Sequence, residues 1–188
     1  MLTAYIGLGA NLPSRAGPPE ATLAAAVERL ESLGRIAARS SLYSTAPVGF
    51  AGQPRFVNAV LALETDLAPR ELLGALLTIE HGFGRDRASS VANGPRTLDL
   101  DILLFGDLVL SEPGLEIPHP RLAERAFVMV PLTEIAPQAR DPRTGTSVSQ
   151  LLQSLSRTPG DAIHAAVPVQ SDLWRAGAAP DVAGNGCP

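Results

Sequence analysis

Hydrophobic residues recur along this chain with two different periods, and the order in which those periods alternate leaves few folds open. Period two marks half-buried strands, and a period near 3.6 marks amphipathic helices. Residues 2–9 (LTAYIGLG) read as a strand that ends in the turn GANLP. Residues 20–33 place Leu23, Val27, Leu30 and Leu33 on one helical face, with Gly34 as the stop signal. Two strand-like runs follow, 35–44 and 55–65, separated by TAPVGFAGQP; in the second, Val57, Ala59, Leu61 and Leu63 alternate onto one side. A second helix over 69–82, capped by Asp66 and Pro69, turns Leu72, Leu73, Leu76 and Ile79 inward. The polar loop GFGRDRASSVANGP leads into a last strand, TLDLDILLF, residues 97–105. This β-α-β-β-α-β order predicts an α+β fold of the ferredoxin-like, split βαβ kind. Beyond it, GDLVLSEP predicts an added strand or hairpin, RLAERAFVMVPLTEIAP a helix interrupted by Pro131, and SVSQLLQSL a short C-terminal helix. From about Thr158 the chain turns to Ala, Gly and Pro with few large apolar residues. We therefore expect one domain over residues 1–158 and a poorly ordered tail over 159–188.

Composition narrows the function. Of 188 residues, 45% are apolar and 18% charged, as in soluble globular chains. The apolar runs fall short of the roughly 20 residues that cross a bilayer, and MLTAYIGLGAN has no basic leader region. The expectation is a cytoplasmic protein with no membrane association. The sole cysteine, Cys187, excludes an internal disulfide and a cysteine-ligated metal site. All fifteen basic residues are arginine, so a P-loop with its usual lysine is excluded. Any phosphate must be held by arginines, backbone amides or metal ions. A net charge of −4 gives no support for nucleic-acid binding.

The strand 97–105 carries two carboxylates in an otherwise apolar run. Alternation sends Asp99 and Asp101 to one face and Leu98, Leu100 and Ile102 to the other. A solvated acidic face on an edge strand would account for a bare Asp-x-Asp. Here, however, Arg85, Arg87 and Arg96 bracket the loop that leads into the strand. Guanidinium forks match phosphate oxygens, and paired carboxylates match Mg²⁺, which is commonly held by one or two carboxylates plus substrate phosphates. Two ions about 3.5–4 Å apart could clamp a phosphoryl group in transfer. Residue chemistry alone thus points to an enzyme that uses a magnesium nucleotide.

GPRTLDLDILLFGD resembles the signature of the 6-hydroxymethyl-7,8-dihydropterin pyrophosphokinase family. AYIGLGANL, SLYSTAPVG, QPRFVNAVLALET and IPHPRLAERAFVMVPLTEIAP resemble the same family in the same order, so the likeness spans residues 4–137. It implies a ferredoxin-like fold and transfer of pyrophosphate from ATP to the pterin hydroxymethyl group, with release of AMP. It implies that Asp99 and Asp101 hold two Mg²⁺ ions that bridge the ATP phosphates. Arg85 and Arg96 match arginines on those phosphates, and these four residues form the implied catalytic set. Arg87, Ile102, His119 and Arg125 match further nucleotide-side positions. On the pterin side, Phe56 and Phe127 match stacking aromatics, Asn58 the polar partner of the ring edge, and Thr45, Pro47 and Val48 a loop against the ring. Glu80 matches a recurrent acidic position, although a solvated helix residue would read the same way.

The chain departs from many members of the family at Asn93, where they carry a tryptophan. The loops 45–53 and 82–95 are the expected lids, and no side chain is singled out as a general base. The implied partners are ATP and 6-hydroxymethyl-7,8-dihydropterin, with the chain a monomer. Two other functions fit parts of the pattern. A ferredoxin-like nucleotidyltransferase or cyclase would also use strand aspartates with two metals. A non-catalytic ligand-binding domain could share the fold, since fold does not fix function.

Overall fold

A computed structural model describes residues 1–47, 52–86, 94–157 and 166–174. Strand β1 (Leu2–Ala10) leads to helix α1 (Pro19–Leu30) and a 3₁₀ turn over Glu31–Leu33. The strand-like run 35–44 is split into β2 (Arg35–Arg39) and β3 (Leu42–Thr45), both paired antiparallel to β4 (Phe56–Thr65). Ser40 bridges the split: its N–H donates to the Val60 carbonyl, and its Oγ accepts from the Val60 N–H. Helix α2 (Pro69–Gly82) and strand β5 (Asp99–Phe105) complete the expected β-α-β-β-α-β order. The strands lie in the order β5-β1-β4-β3, with β1 antiparallel to both β4 and β5. This is the split βαβ arrangement, with each crossover strand separated from its partner by the strand between them.

The alternation read from the sequence becomes two cores. Ala4, Ile6 and Leu8 of β1, Ala59, Leu61 and Leu63 of β4, and Leu98, Leu100 and Ile102 all pack under α1 and α2. On the opposite face, Val60, Leu103 and Leu104 pack against α3 (Ala126–Ile135) and α4 (Val148–Leu155). The hairpin β6 (Leu110–Glu112) with β7 (Leu115–Ile117) follows β5 in the chain, and its Leu115 and Ile117 join the core under α1 and α2. Ser147 caps α4 in a capping box with Gln150.

Three details differ from the sequence expectation. Asp66 does not cap α2; it lies 2.9 Å from the N-terminal ammonium of Met1, while the Ala68 N–H donates to Glu71 Oε2. Pro131 does not interrupt its helix. An internal proline costs roughly 3 kcal/mol, but Met129, Pro131 and Leu132 are buried on the inner side of α3, and packing holds the helix continuous. Residues 166–174, which composition assigns to a poorly ordered tail, join the sheet. Here β8 (Val167–Val169) pairs antiparallel to β3. Trp174 is buried, donates from Nε1 to the Ser40 carbonyl at 2.7 Å and stacks on Arg39. Trp174 and Val169, packed against the core, supply the apolar surface that an average over the segment conceals.

Candidate active site

Helices α3 and α4 leave the end of their sheet face uncovered, and three adjacent strands present the site there. Asn58 on β4 pairs in register with Gly9 on β1, which in turn pairs with Asp99 on β5. One turn of the pleat away, Gly7 pairs with Asp101. Because side chains alternate along a strand, Gly7 and Gly9 share the face of the two aspartates and leave a trough between β4 and β5. The trough opens into a cavity of about 240 Å³.

One wall suits a flat polar ring. Phe56 and Asn58 lie two residues apart on the same face of β4, and Phe127 comes across from α3. Asn58 is buried and donates from Nδ2 to Thr45 Oγ1 at 2.8 Å. That bond leaves Asn58 Oδ1 toward Gly9. Arg96 stands 5.5 Å from the Phe56 ring centre, and Arg125 5.6 Å from that of Phe127, so the aromatic wall meets a cationic one.

The cationic wall is tightly organised. Arg96 Nη1 lies 2.6 Å from Asp99 Oδ2, and Arg85 Nη1 lies 2.8 Å from Asp99 Oδ1. Arg125 Nη1 is 3.7 Å from Asp101 Oδ2. Behind Arg85, Glu80 is 1% exposed. Its Oε1 accepts from the Leu100 N–H at 2.7 Å, and its Oε2 lies 3.7 Å from Arg85 Nε. Glu80 is therefore no solvated helix residue. It ties α2 to β5 and sets the base of Arg85.

His119 sits at the mouth of this wall. Burial, then the charges of Arg125 and Arg121, push its pKa down to about 4. The ring is neutral at pH 7. Its Nδ1 accepts from the Arg121 N–H at 3.0 Å, so the ring proton is assigned to Nε2. That nitrogen is 3.5 Å from Arg125 Nη1. Two donors thus converge where an anionic oxygen would accept from both.

Asn11 ties the two loops beside the cavity. It is buried, donates from Nδ2 to Gln53 Oε1 and the Pro54 carbonyl, and accepts at Oδ1 from the Arg96 N–H.

The cavity gathers Thr45, Phe56, Asn58, Arg85, Arg96, Asp99, Asp101, His119, Arg125 and Phe127, which the sequence nominated from five separated segments. Pro47 does not line it. The side chain of Ile102 faces away, buried in the core beneath α1 and α2, as its place between Asp101 and Leu103 on an alternating strand requires. Val48, Arg87 and Asn93 lie outside the described residues. Sequence reasoning missed Gly9 and Ala46, which line the cavity, and the loop tie at Asn11. Glycines two apart within a strand were the available signal for Gly9, because they mark close approach of a ligand or another backbone.

The donor set fits a hard cation delivered with phosphate. Among the described residues, no cluster of three or more His, Cys, Asp or Glu side chains could hold a metal by itself. Two carboxylates on one strand face supply part of an oxygen shell, and Mg²⁺ characteristically fills the rest with water and phosphate oxygens.

A family model described as 7,8-dihydro-6-hydroxymethylpterin-pyrophosphokinase matches residues 5–137. A 2-amino-4-hydroxy-6-hydroxymethyldihydropteridine pyrophosphokinase of Pseudomonas aeruginosa is 45% identical over 163 residues, covering 83% of this chain and 96% of its own. The protein of the same name from Bacillus subtilis is 41% identical over 149 residues, covering 78% and 86%. Among solved structures, Plasmodium falciparum HPPK-DHPS A437G/K540E with pterin and p-hydroxybenzoate superposes with a TM-score of 0.69 at 16% identity. That match covers 90% of this chain but about half of the Plasmodium chain, at 48%, and it supports the fold alone. The profile match and the bacterial identities reach across the strands and loops that build the cavity, and by them the chain belongs to the 7,8-dihydro-6-hydroxymethylpterin-pyrophosphokinase family.

Proposed function

We propose that this chain transfers the terminal pyrophosphoryl group of ATP to the hydroxymethyl oxygen of 6-hydroxymethyl-7,8-dihydropterin. The observation that carries the assignment is the two-sided cavity: an aromatic wall with a fixed amide on one side, and three arginines with two carboxylates on the other. The product side fits a place in folate synthesis, since a relative from Pneumocystis carinii, 37% identical over 152 residues, is named a folic acid synthesis protein.

The ring stacks between Phe56 and Phe127, and the Asn58 amide reads its edge. Thr45 fixes that amide through its hydroxyl. The triphosphate lies along Arg85, Arg96, Arg125 and His119. Attack by the substrate hydroxyl forms a bond to the β-phosphorus as the bond to the α–β bridging oxygen breaks. AMP leaves with that oxygen, and the hydroxyl proton passes to solvent. Asp99 and Asp101 would hold two Mg²⁺ ions, which when bound neutralise phosphate charge and make the hydroxyl more acidic. The protein supplies position and charge; no covalent intermediate with a side chain is needed. We further assign the chain to the cytoplasm as a monomer acting on two small substrates. No described helix is long and apolar enough to cross a membrane.

Nucleotide product analysis tests this directly. AMP formed only when both pterin and Mg²⁺ are present is the expected result. ADP would indicate a simple kinase, and pyrophosphate a nucleotidyltransferase; either overturns the assignment. Asp99→Ala or Asp101→Ala should abolish turnover while the circular dichroism spectrum stays that of the wild type.

A further inference from the structure

Asp99 is held from both sides. Each of its carboxylate oxygens faces its own guanidinium, Oδ2 toward Arg96 at 2.6 Å and Oδ1 toward Arg85 at 2.8 Å. Arg125 stands 3.7 Å from Asp101. The groups assigned above to metal are thus paired with the groups assigned above to phosphate. Resting on that assignment, we propose that nucleotide and metal enter by an exchange of partners: the arginines pass from Asp99 to phosphate oxygens as Asp99 passes to the cation.

Burial makes the exchange compulsory. The Arg85 side chain is 9% exposed, and those of Arg96 and Asp99 are 20% exposed. Removing one partner from such a pair leaves a poorly solvated charge, which is strongly unfavourable. A cation arriving alone must draw Asp99 away from two arginines and leave each without its carboxylate partner on that strand. A polyphosphate arriving alone must draw both arginines away from Asp99. Arriving together, each supplies the partner that the other releases. The two bindings are therefore coupled, and by linkage the coupling is the same in both directions. Arg96 is the less enclosed of the two, its Nε donating to the Gly94 carbonyl at 3.2 Å. Arg85 also donates from the same Nη1 to the Leu98 carbonyl at 2.9 Å and is flanked by Glu80, which keeps it near β5.

The test uses the full chain without turnover. Mn²⁺, a paramagnetic stand-in for Mg²⁺, is titrated into nucleotide-free protein and followed by electron paramagnetic resonance. α,β-Methylene-ATP is titrated in excess EDTA and followed by calorimetry. Arg96→Gln should bind Mn²⁺ about tenfold more tightly than the wild type, and Asp99→Asn should bind the metal-free nucleotide about tenfold more tightly, within the usual range for coupled sites. Arg121→Gln and Glu124→Gln alter charge beside the site in residues that pair with each other at 3.1 Å. Each should shift either affinity by less than about twofold.

Unchanged or weakened binding in both Arg96→Gln and Asp99→Asn overturns the exchange, as does an equal effect in the control pair. If wild-type protein still binds α,β-methylene-ATP with Mg²⁺, only the exchange is lost and the site assignment stands. A folded wild type that does not bind it removes both. Melting temperatures verify that each variant is folded.

Discussion

Replacing Gly9 by alanine should separate stability from pterin recognition. Gly9 lies in β1 between Asn58 on β4 and Asp99 on β5. A Cβ there would sit 3.0 Å from Asn58 Oδ1, against a resting separation of roughly 3.5 Å. No other described atom beyond its chain neighbours lies within 4 Å of it, so the strain falls on Asn58 alone. Asn58 has little freedom to retreat, being 5% exposed and bonded through Nδ2 to Thr45 Oγ1 at 2.8 Å. A shift of about half an ångström away from β1 drives the amide toward β3 and distorts that bond out of useful geometry. A buried polar group left without its partner costs about 1–3 kcal/mol, or roughly 5- to 150-fold in affinity. The backbone term has the opposite sign, since alanine within a strand is favoured over glycine by roughly 0.5–1 kcal/mol. Calorimetry of the pterin in the presence of Mg²⁺ and α,β-methylene-ATP should therefore show a dissociation constant raised by about 10- to 100-fold. Stability should fall by only about 0–2.5 kcal/mol once the backbone gain is set against the strained bond, and nucleotide affinity should stay within about twofold. Unchanged pterin affinity in a folded variant would refute the role given to Asn58.

Glu80→Leu removes the acceptor of the Leu100 N–H and the carboxylate beside Arg85, and should lose about 3–5 kcal/mol in urea denaturation. Glu80→Gln keeps an acceptor and should lose less; equal losses would contradict the assigned bond. His119 has its folded pKa lowered to about 4, below the ordinary value of 6.5. The unfolded chain therefore takes up a proton that the folded one does not, and stability falls as the pH drops from about 6.5 to about 4. His119→Asn should flatten that part of the stability profile, and an unaltered profile would count against a neutral buried ring. Trp174→Ala should cost about 3 kcal/mol and open residues 166–174 to limited proteolysis, given the buried indole and its bond to Ser40.

Where one rule governed a residue, the sequence was sufficient. Alternation along β5 placed Asp99 and Asp101 opposite Leu98, Leu100 and Ile102, and the same rule put Phe56 and Asn58 on one face of β4. The β-α-β-β-α-β order followed from the two hydrophobic periods. Other features were hidden because they depend on contacts distant in sequence. The burial of Glu80 depends on β5 arriving 20 residues later to offer the Leu100 N–H. The continuity of α3 through Pro131 depends on packing, which overrides local propensity. Strand parity turns the Ile102 side chain into the core, a placement the likeness alone does not convey. The strap at 166–174 was diluted by its Ala- and Gly-rich surroundings, and a composition window cannot see a single buried tryptophan.

That strap also imposes an order on biosynthesis. Trp174 closes on Ser40 across 134 residues, and β8 covers β3 from a similar distance. Chains emerge from the ribosome N-terminus first, at roughly 5–20 residues per second, so β1 through β5 are free to assemble while the outer edge of β3 has no partner. An unpaired edge is a template for strands from other chains. The nascent protein therefore passes through an interval in which the strand that leads into the Thr45 wall is open to pairing with a neighbouring nascent chain. A ribosome stalled before residue 166 would prolong that interval, which makes a segment synthesised well after the rest of the sheet the one that guards it against misassembly.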